Sequence, residues 1–137
     1  MTDLYRTDAY ASSNPTWHEE DAPWKAKHLA RAIRNSKIAH KTICEVGCGT
    51  GQILVNLAQQ FPDSKLFGYE ISPYAYDRAK RNENEQINFQ FGDFLSMESP
   101  FYDIIILADV FEHVDDYISF IKAMKGRSRY KLFHIPL

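Results

Sequence analysis

The stretch Glu45-Val46-Gly47-Cys48-Gly49-Thr50-Gly51-Gln52 decides how this chain is read. It follows a short apolar run, Thr42-Ile43-Cys44, and precedes Ile53, Leu54, Leu57, Ala58 and Phe61, spaced as on one face of a helix. A strand therefore runs into a glycine-rich turn and then into a helix. Glycine has no Cβ and tolerates positive φ, so such a turn lets backbone approach a ligand closely.

The flanking sequence repeats the strand–helix alternation. Asp21 is placed to cap a helix starting near Pro23, with Ala26, Leu29, Ala30 and Ile33 turned inward. Strands are expected at residues 42–46, 66–69, 87–91, 102–107 and about 131–135. The fourth is a near-continuous apolar run, the pattern of a strand covered on both faces. The helix after the glycines should end at Phe61-Pro62. Ser72-Pro73 reads as N-cap and first residue of a polar helix running to about Asn84. Asp115-Asp116 can cap a last helix, with Ile118, Ile121 and Met124 inward and Gly126 just beyond its end. The expected fold class is α/β: a doubly wound, mostly parallel sheet with right-handed crossovers. Such sheets bind ligands beyond the carboxyl ends of their strands, where the glycine turn, Glu70, Asp93 and Asp109 all fall.

Composition narrows the partners. The chain has 137 residues, 45% hydrophobic and 25% charged, enough for one domain with a real core. A net charge of −2 without a basic block gives no electrostatic footprint for nucleic acid, so no such partner is expected. The first eight residues lack the basic and apolar regions of a secretory signal, and the apolar run at 104–108 is too short to span a bilayer. A cytoplasmic protein with no membrane partner is the default. Cys44 and Cys48 have neither CxxC nor zinc-site spacing and are expected to be reduced thiols at a buried strand.

The turn does not close with the Gly-Lys-Ser/Thr of a P-loop, and Gln52 occupies the third glycine position of a dinucleotide fingerprint. Glu70, at the end of the second strand, suits the two hydroxyls of a ribose. Asp93 can accept from an exocyclic amine such as adenine N6, and Ile71 and Phe94 are placed to sandwich a flat base. The ligand looks like a nucleoside without a pyrophosphate.

These residues resemble the class I S-adenosylmethionine-dependent methyltransferases of Rossmann-like fold, in their small-molecule branch. Glu45 to Gly51 is similar to that family's first motif, Tyr69-Glu70-Ile71-Ser72 to its second, and Gly92-Asp93-Phe94 to its adenine-side motif. The run from Asp103 to Val114 resembles the strand-four motif. The resemblance implies S-adenosylmethionine as cofactor, with S-adenosylhomocysteine as its product. Glu45, Gly47, Cys48, Gly49 and Gly51 would pass under its methionine part, Glu70 would hold the ribose, and Ile71, Asp93 and Phe94 would flank adenine. Asp109 would complete the cofactor set. It further implies a small-molecule methyl acceptor.

His113, just past the fourth strand, is the candidate general base. Asp109, Glu112 and His113 share one face of a helical turn, a spacing that could ligate a divalent metal and occurs in ubiquinone-pathway O-methyltransferases; no metal is assigned here. Residues 1–38 are read as an N-terminal lid and helix, with Trp17 and His18 as lid candidates and Trp24 as core packing. Residues 39–137 are read as the cofactor-binding core. The family sheet has two more strands after the fifth, so the chain is expected to be truncated there. An uncovered fifth strand would then invite homo-oligomerisation.

Overall fold

The structure, a computed structural model, describes residues 18–136. After a single 3-10 turn, Glu19–Asp21, the elements alternate: α1 (Ala22–Ser36), β1 (Thr42–Val46), α2 (Gln52–Gln60), β2 (Lys65–Glu70), α3 (Pro73–Lys80), β3 (Ile87–Phe91), β4 (Tyr102–Ala108), α4 (Tyr117–Met124) and β5 (Ser128–His134). The five strands are all parallel, in the order β3-β2-β1-β4-β5. Strand order reverses between β1 and β4, which makes the crevice above them the expected ligand site.

The central strands β1, β2 and β4 are buried on both faces because their alternate residues feed two cores. Ile43, Leu66, Ile87, Phe89, Ile104 and Ile106 pack with α1 and α2. Cys44, Val46, Tyr69, Ile105 and Leu107 pack on the other side with Phe120 and Met124 of α4. The inward stripe expected on α1, from Ala26 to Ile33, is buried in the first core, so α1 is part of the packed body. Both cysteines are free and buried.

Local chemistry sets the element ends, and several depart from expectation. Ser72 Oγ caps α3 by accepting from Ala75 N, as the sequence suggests. The helix nevertheless ends at Lys80 rather than near Asn84. Asn84 Oδ1 accepts from the amides of Gln86 and Ile87 at 2.8 and 2.9 Å, and Glu83 Oε2 accepts from Phe89 N at 3.0 Å. Short polar side chains thus capture backbone donors outside the helix. On α4, Asp116 caps as expected, by accepting from Ser119 N, and Gly126 takes positive φ after the helix. Its buried face carries Phe120 and Met124, whereas Ile118 and Ile121 are exposed, which corrects the expected phase. Trp24 is also corrected: it is 58% exposed and lies edge-on to His28 and His134. Trp17 lies outside the described residues.

Candidate active site

Beyond the carboxyl ends of β1, β2 and β4 lies a cleft of about 310 Å³. Glu45, Gly47, Cys48, Gly49, Glu70, Asp109 and His113, all singled out from sequence, line it. The glycine turn forms its floor. Gly47 N and Cys48 N both donate to Tyr69 O, at 2.8 and 3.0 Å, and Gly51 N donates to Cys48 O at 3.0 Å. Gly49 sits at φ 58° with open space where a Cβ would project, facing the cleft.

Glu70 is buried at the end of β2. Its Oε2 accepts from Gly49 N at 2.7 Å and its Oε1 from Ser72 N at 2.9 Å. Burial raises its carboxyl above the ordinary range, and the backbone donors of Ser72, Gly49 and Ile71 pull it back in part. Glu45, at the end of β1, is buried as well, and its Oε1 has no hydrogen-bond partner among the described residues. Burial, then the nearby Glu70 charge, pushes its carboxyl well up. A buried polar atom left unpaired is costly, so this oxygen awaits a donor from whatever fills the cleft.

Asp109 follows β4 with φ 56°, a left-handed conformation unusual for a residue with a side chain. Its backbone N donates to His134 O at 2.9 Å, its Oδ1 lies 2.9 Å from His134 Nδ1, and its Oδ2 lies 2.5 Å from Lys25 Nζ. Burial alone would raise this carboxyl, but the bonds from Lys25 and His134 outweigh it and hold it below the ordinary value. The next residue, Val110, lies against the turn: a Cβ on Gly47 would come within 3.2 Å of its Cγ2. His113, in the 3-10 turn Phe111–His113, faces the cleft with its Nε2 3.6 Å from Glu112 Oε1. Asp109 therefore turns toward Lys25 and His134 while His113 pairs with Glu112. The acidic-x-x-Glu-His spacing does not converge, and no metal-ligand cluster of three forms among the described residues.

Four expected site residues do not line this cleft. Gly51 is buried, and a Cβ there would meet Phe89 Cζ at 2.5 Å, so packing against β3 demands its glycine. Ile71 is buried. Asp93 caps the short turn after β3, accepting from Leu95 N at 3.1 Å. Phe94 corrects the expectation of a base sandwich. Its ring is buried in the second core, edge-on to Tyr69 and 3.9 Å beneath the Arg127 guanidinium. Sequence reasoning missed Lys25 and Glu19, both of which reach the cleft. Their only signal is position: Lys25 flanks the inward stripe of α1, and Glu19 lies just before that helix.

The strand order, the glycine turn after β1 and the acidic residue ending β2 define an α/β protein with a cleft at the switch point of its sheet. Residues 17–129 match the family model described as "Methyltransferase domain", and the chain belongs to that family. It is similar to a malonyl-[acyl-carrier protein] O-methyltransferase of Bacillus cytotoxicus, 30% identical over 105 residues, covering 73% of this chain and 37% of that protein. It is similar to a ubiquinone biosynthesis O-methyltransferase of Nitrosospira multiformis, 23% identical over 133 residues, covering 88% of this chain and 55% of that one. Among solved structures, the plantazolicin methyltransferase BpumL in complex with SAH superposes with a TM-score of 0.75 at 20% identity, over 92% of this chain and 52% of that one. The chain thus spans about a third to a half of the length of these relatives.

Proposed function

We propose that this chain binds S-adenosylmethionine in the cleft and serves methyl transfer to a small-molecule acceptor. One observation carries the reading: a glycine turn that opens toward the cleft at Gly49, flanked by the buried carboxylates of Glu45 and Glu70, in a chain of the methyltransferase domain family. The residues fit that ligand. Glu45 Oε1 is an unpaired acceptor among the described residues, and Glu70 keeps lone pairs beyond those that hold backbone. Glu70 is assigned the ribose, and the turn the methionine part. Ile71 and Asp93, at the ends of β2 and β3, are assigned the adenine end. When bound, the cofactor supplies a methyl group activated by its sulfonium charge.

The chain's own task is then to position reactants and exclude water. His113 is the group in the cleft suited to take a proton from an acceptor hydroxyl or amine, with its Nε2 3.6 Å from Glu112 Oε1. Five carboxylates, those of Glu19, Glu45, Glu70, Asp109 and Glu112, line the cleft against one lysine among the described residues, Lys25. That balance favours a sulfonium and disfavours a nucleic-acid acceptor. No described helix is long and apolar enough to cross a membrane. Two free, buried cysteines support a cytoplasmic setting.

The second reading is a non-catalytic S-adenosylmethionine-binding or assembly module, which the short span relative to the enzymes it resembles keeps in view. Calorimetric titration with S-adenosylhomocysteine and NAD tests the cofactor. Binding of the first alone supports the reading, and binding of NAD instead overturns it. Donor turnover separates enzyme from module.

A further inference from the structure

The geometry points to Arg127 as a positioning residue for the base end of the ligand: its guanidinium clamps the segment from Phe94 to Ser99 and so fixes where Asp93 is presented. The inference rests on the reading that the cleft holds an S-adenosyl compound with Asp93 at its adenine end. It adds a residue that touches no ligand and acts through the segment it holds.

Arg127 directly precedes β5, and its backbone is tied on both sides. Its N–H donates to Met124 O at 3.1 Å, and its carbonyl accepts from Tyr102 N at 3.2 Å. The end of α4 and the start of β4 therefore fix the point from which the side chain reaches. Its Nη2 lies 3.2 Å from Phe94 O, 2.8 Å from Met97 O and 2.8 Å from Ser99 Oγ. The guanidinium carbon lies 3.9 Å from the centre of the Phe94 ring. Among the described residues no carboxylate pairs with this cation. Its partners are carbonyls, a hydroxyl and a ring, all in one segment, so the charge is spent on holding that segment. Hydrogen bonds from a charged donor are roughly twice as strong as neutral ones.

The clamp reaches Asp93 by two routes. Phe94 O also accepts from Met97 N at 3.2 Å, closing the 3-10 turn Phe94–Ser96 that Asp93 caps. Asp93 Oδ1 accepts from Leu95 N at 3.1 Å and its Oδ2 from Ser96 Oγ at 3.4 Å, so the turn aims the carboxylate. By the second route, the Met97 side chain lies over Gly92, where a Cβ would come within 2.7 Å of Sδ. Gly92 N donates in turn to Glu70 O at 2.9 Å. The clamp thus braces the link between Glu70, assigned the ribose, and Asp93, assigned the base. A carboxylate that reads an exocyclic amine must be held to within about 0.5 Å, and on a loop that precision comes from a supporting shell of contacts.

The test compares S-adenosylhomocysteine with S-inosylhomocysteine, by calorimetry on the 137-residue chain. The two differ at the base, where an amine that donates is replaced by a carbonyl that accepts. The wild type should prefer the first by at least about tenfold, the worth of one hydrogen bond to a charged acceptor. Arg127→Met should weaken S-adenosylhomocysteine by about tenfold and S-inosylhomocysteine by no more than about twofold, so that the preference collapses. Arg127→Lys brings three N–H donors to the same acceptors and should restore most of it. A residue that only supports the fold would lower the melting temperature and weaken both ligands equally, and that result overturns the proposal. Should Arg127→Met fail to fold, Ser99→Ala decides, because it removes one acceptor of the clamp and leaves Arg127 in place. A loss of about threefold in preference then supports the clamp, and an unchanged preference overturns it. If the wild type binds neither ligand, the cofactor reading falls and this proposal with it. If it binds both alike, the assignment of Asp93 falls with the proposal while the cofactor reading stands. If the wild type discriminates and a folded Arg127→Met variant discriminates equally, this proposal alone falls.

Discussion

Glu70 Oε2 accepts the amide of Gly49 at 2.7 Å, so the residue assigned to the ribose also holds the glycine turn in shape. Under that assignment, binding and local architecture share one carboxylate. Truncating it should disturb both, and the two effects can be read separately.

Glu70→Ala leaves the amides of Gly49 and Ser72 without their buried acceptor. It should destabilise the fold by roughly 1–3 kcal/mol and weaken S-adenosylhomocysteine by at least about tenfold. Thermal melting and calorimetry check the two arms. Unchanged affinity in a folded variant would remove Glu70 from the ligand.

Gly49 and Gly51 should behave oppositely. At Gly49 a Cβ meets nothing within 4 Å, so Gly49→Ala costs the fold only the left-handed strain, about 1–2 kcal/mol, while projecting into the cleft. Gly51→Ala forces its Cβ onto the Phe89 ring and should destabilise the chain further. Gly49→Val should abolish ligand binding in a chain whose circular dichroism is still α/β. Melting curves that rank the two alanine variants the other way would contradict this assignment.

Glu45 gives a pH signature. Its carboxyl is raised by burial first and by the Glu70 charge second. A carboxyl raised on folding favours the folded chain fully below its unfolded pKa, and that benefit is lost as pH rises toward the folded value. Glu45→Gln cannot titrate. Its melting temperature relative to wild type should therefore climb as pH rises above the ordinary glutamate value. A difference that stays flat with rising pH would show that Glu45 ionises normally in the fold.

His113→Ala should lower turnover by about 10²–10⁴-fold with any acceptor the wild type uses, and leave S-adenosylhomocysteine affinity within about twofold. An unchanged rate would reduce His113 to a shaping residue of the turn after β4.

Among the described residues β5 pairs only with β4, and Phe133 and Ile135 on and just after it are exposed. Edge strands of this kind recruit further strands. Light scattering of the 137-residue chain should show mass rising with concentration, suppressed by Phe133→Lys with Ile135→Lys. A concentration-independent monomer would exclude this association.

The central strands were legible because burial on both faces leaves an apolar run that needs no partner to be recognised, as in β4, and β1 and β3 also lie where residues 42–46 and 87–91 read. Helix ends and phases were less so. The end of α3 depends on Glu83 and Asn84 reaching β3 amides, a competition between local bonds that periodicity does not encode. In the site, the glycines, Glu45, Glu70 and Asp109 could be placed because each ends a strand. Phe94 could not: its position after β3 was right, but its ring turns into the core beneath Arg127, a partner 33 residues away. Lys25 was invisible for the converse reason, since only tertiary packing brings α1 to the β4 end.

The amides of Gly47, Cys48, Gly49 and Gly51 all point to protein acceptors: Tyr69 O, the Glu70 carboxylate and Cys48 O. A turn that cradles phosphate needs those same N–H groups turned outward, toward the anion. Here they face inward, and the acceptor of one of them is itself a carboxylate. Nucleoside di- and triphosphates, and adenine dinucleotides, carry the adenosine that the cleft would otherwise welcome. Under the proposed function, the hydrogen bonds that build the turn would also act as a filter, passing an adenosine joined to a sulfonium and refusing one joined to a phosphate.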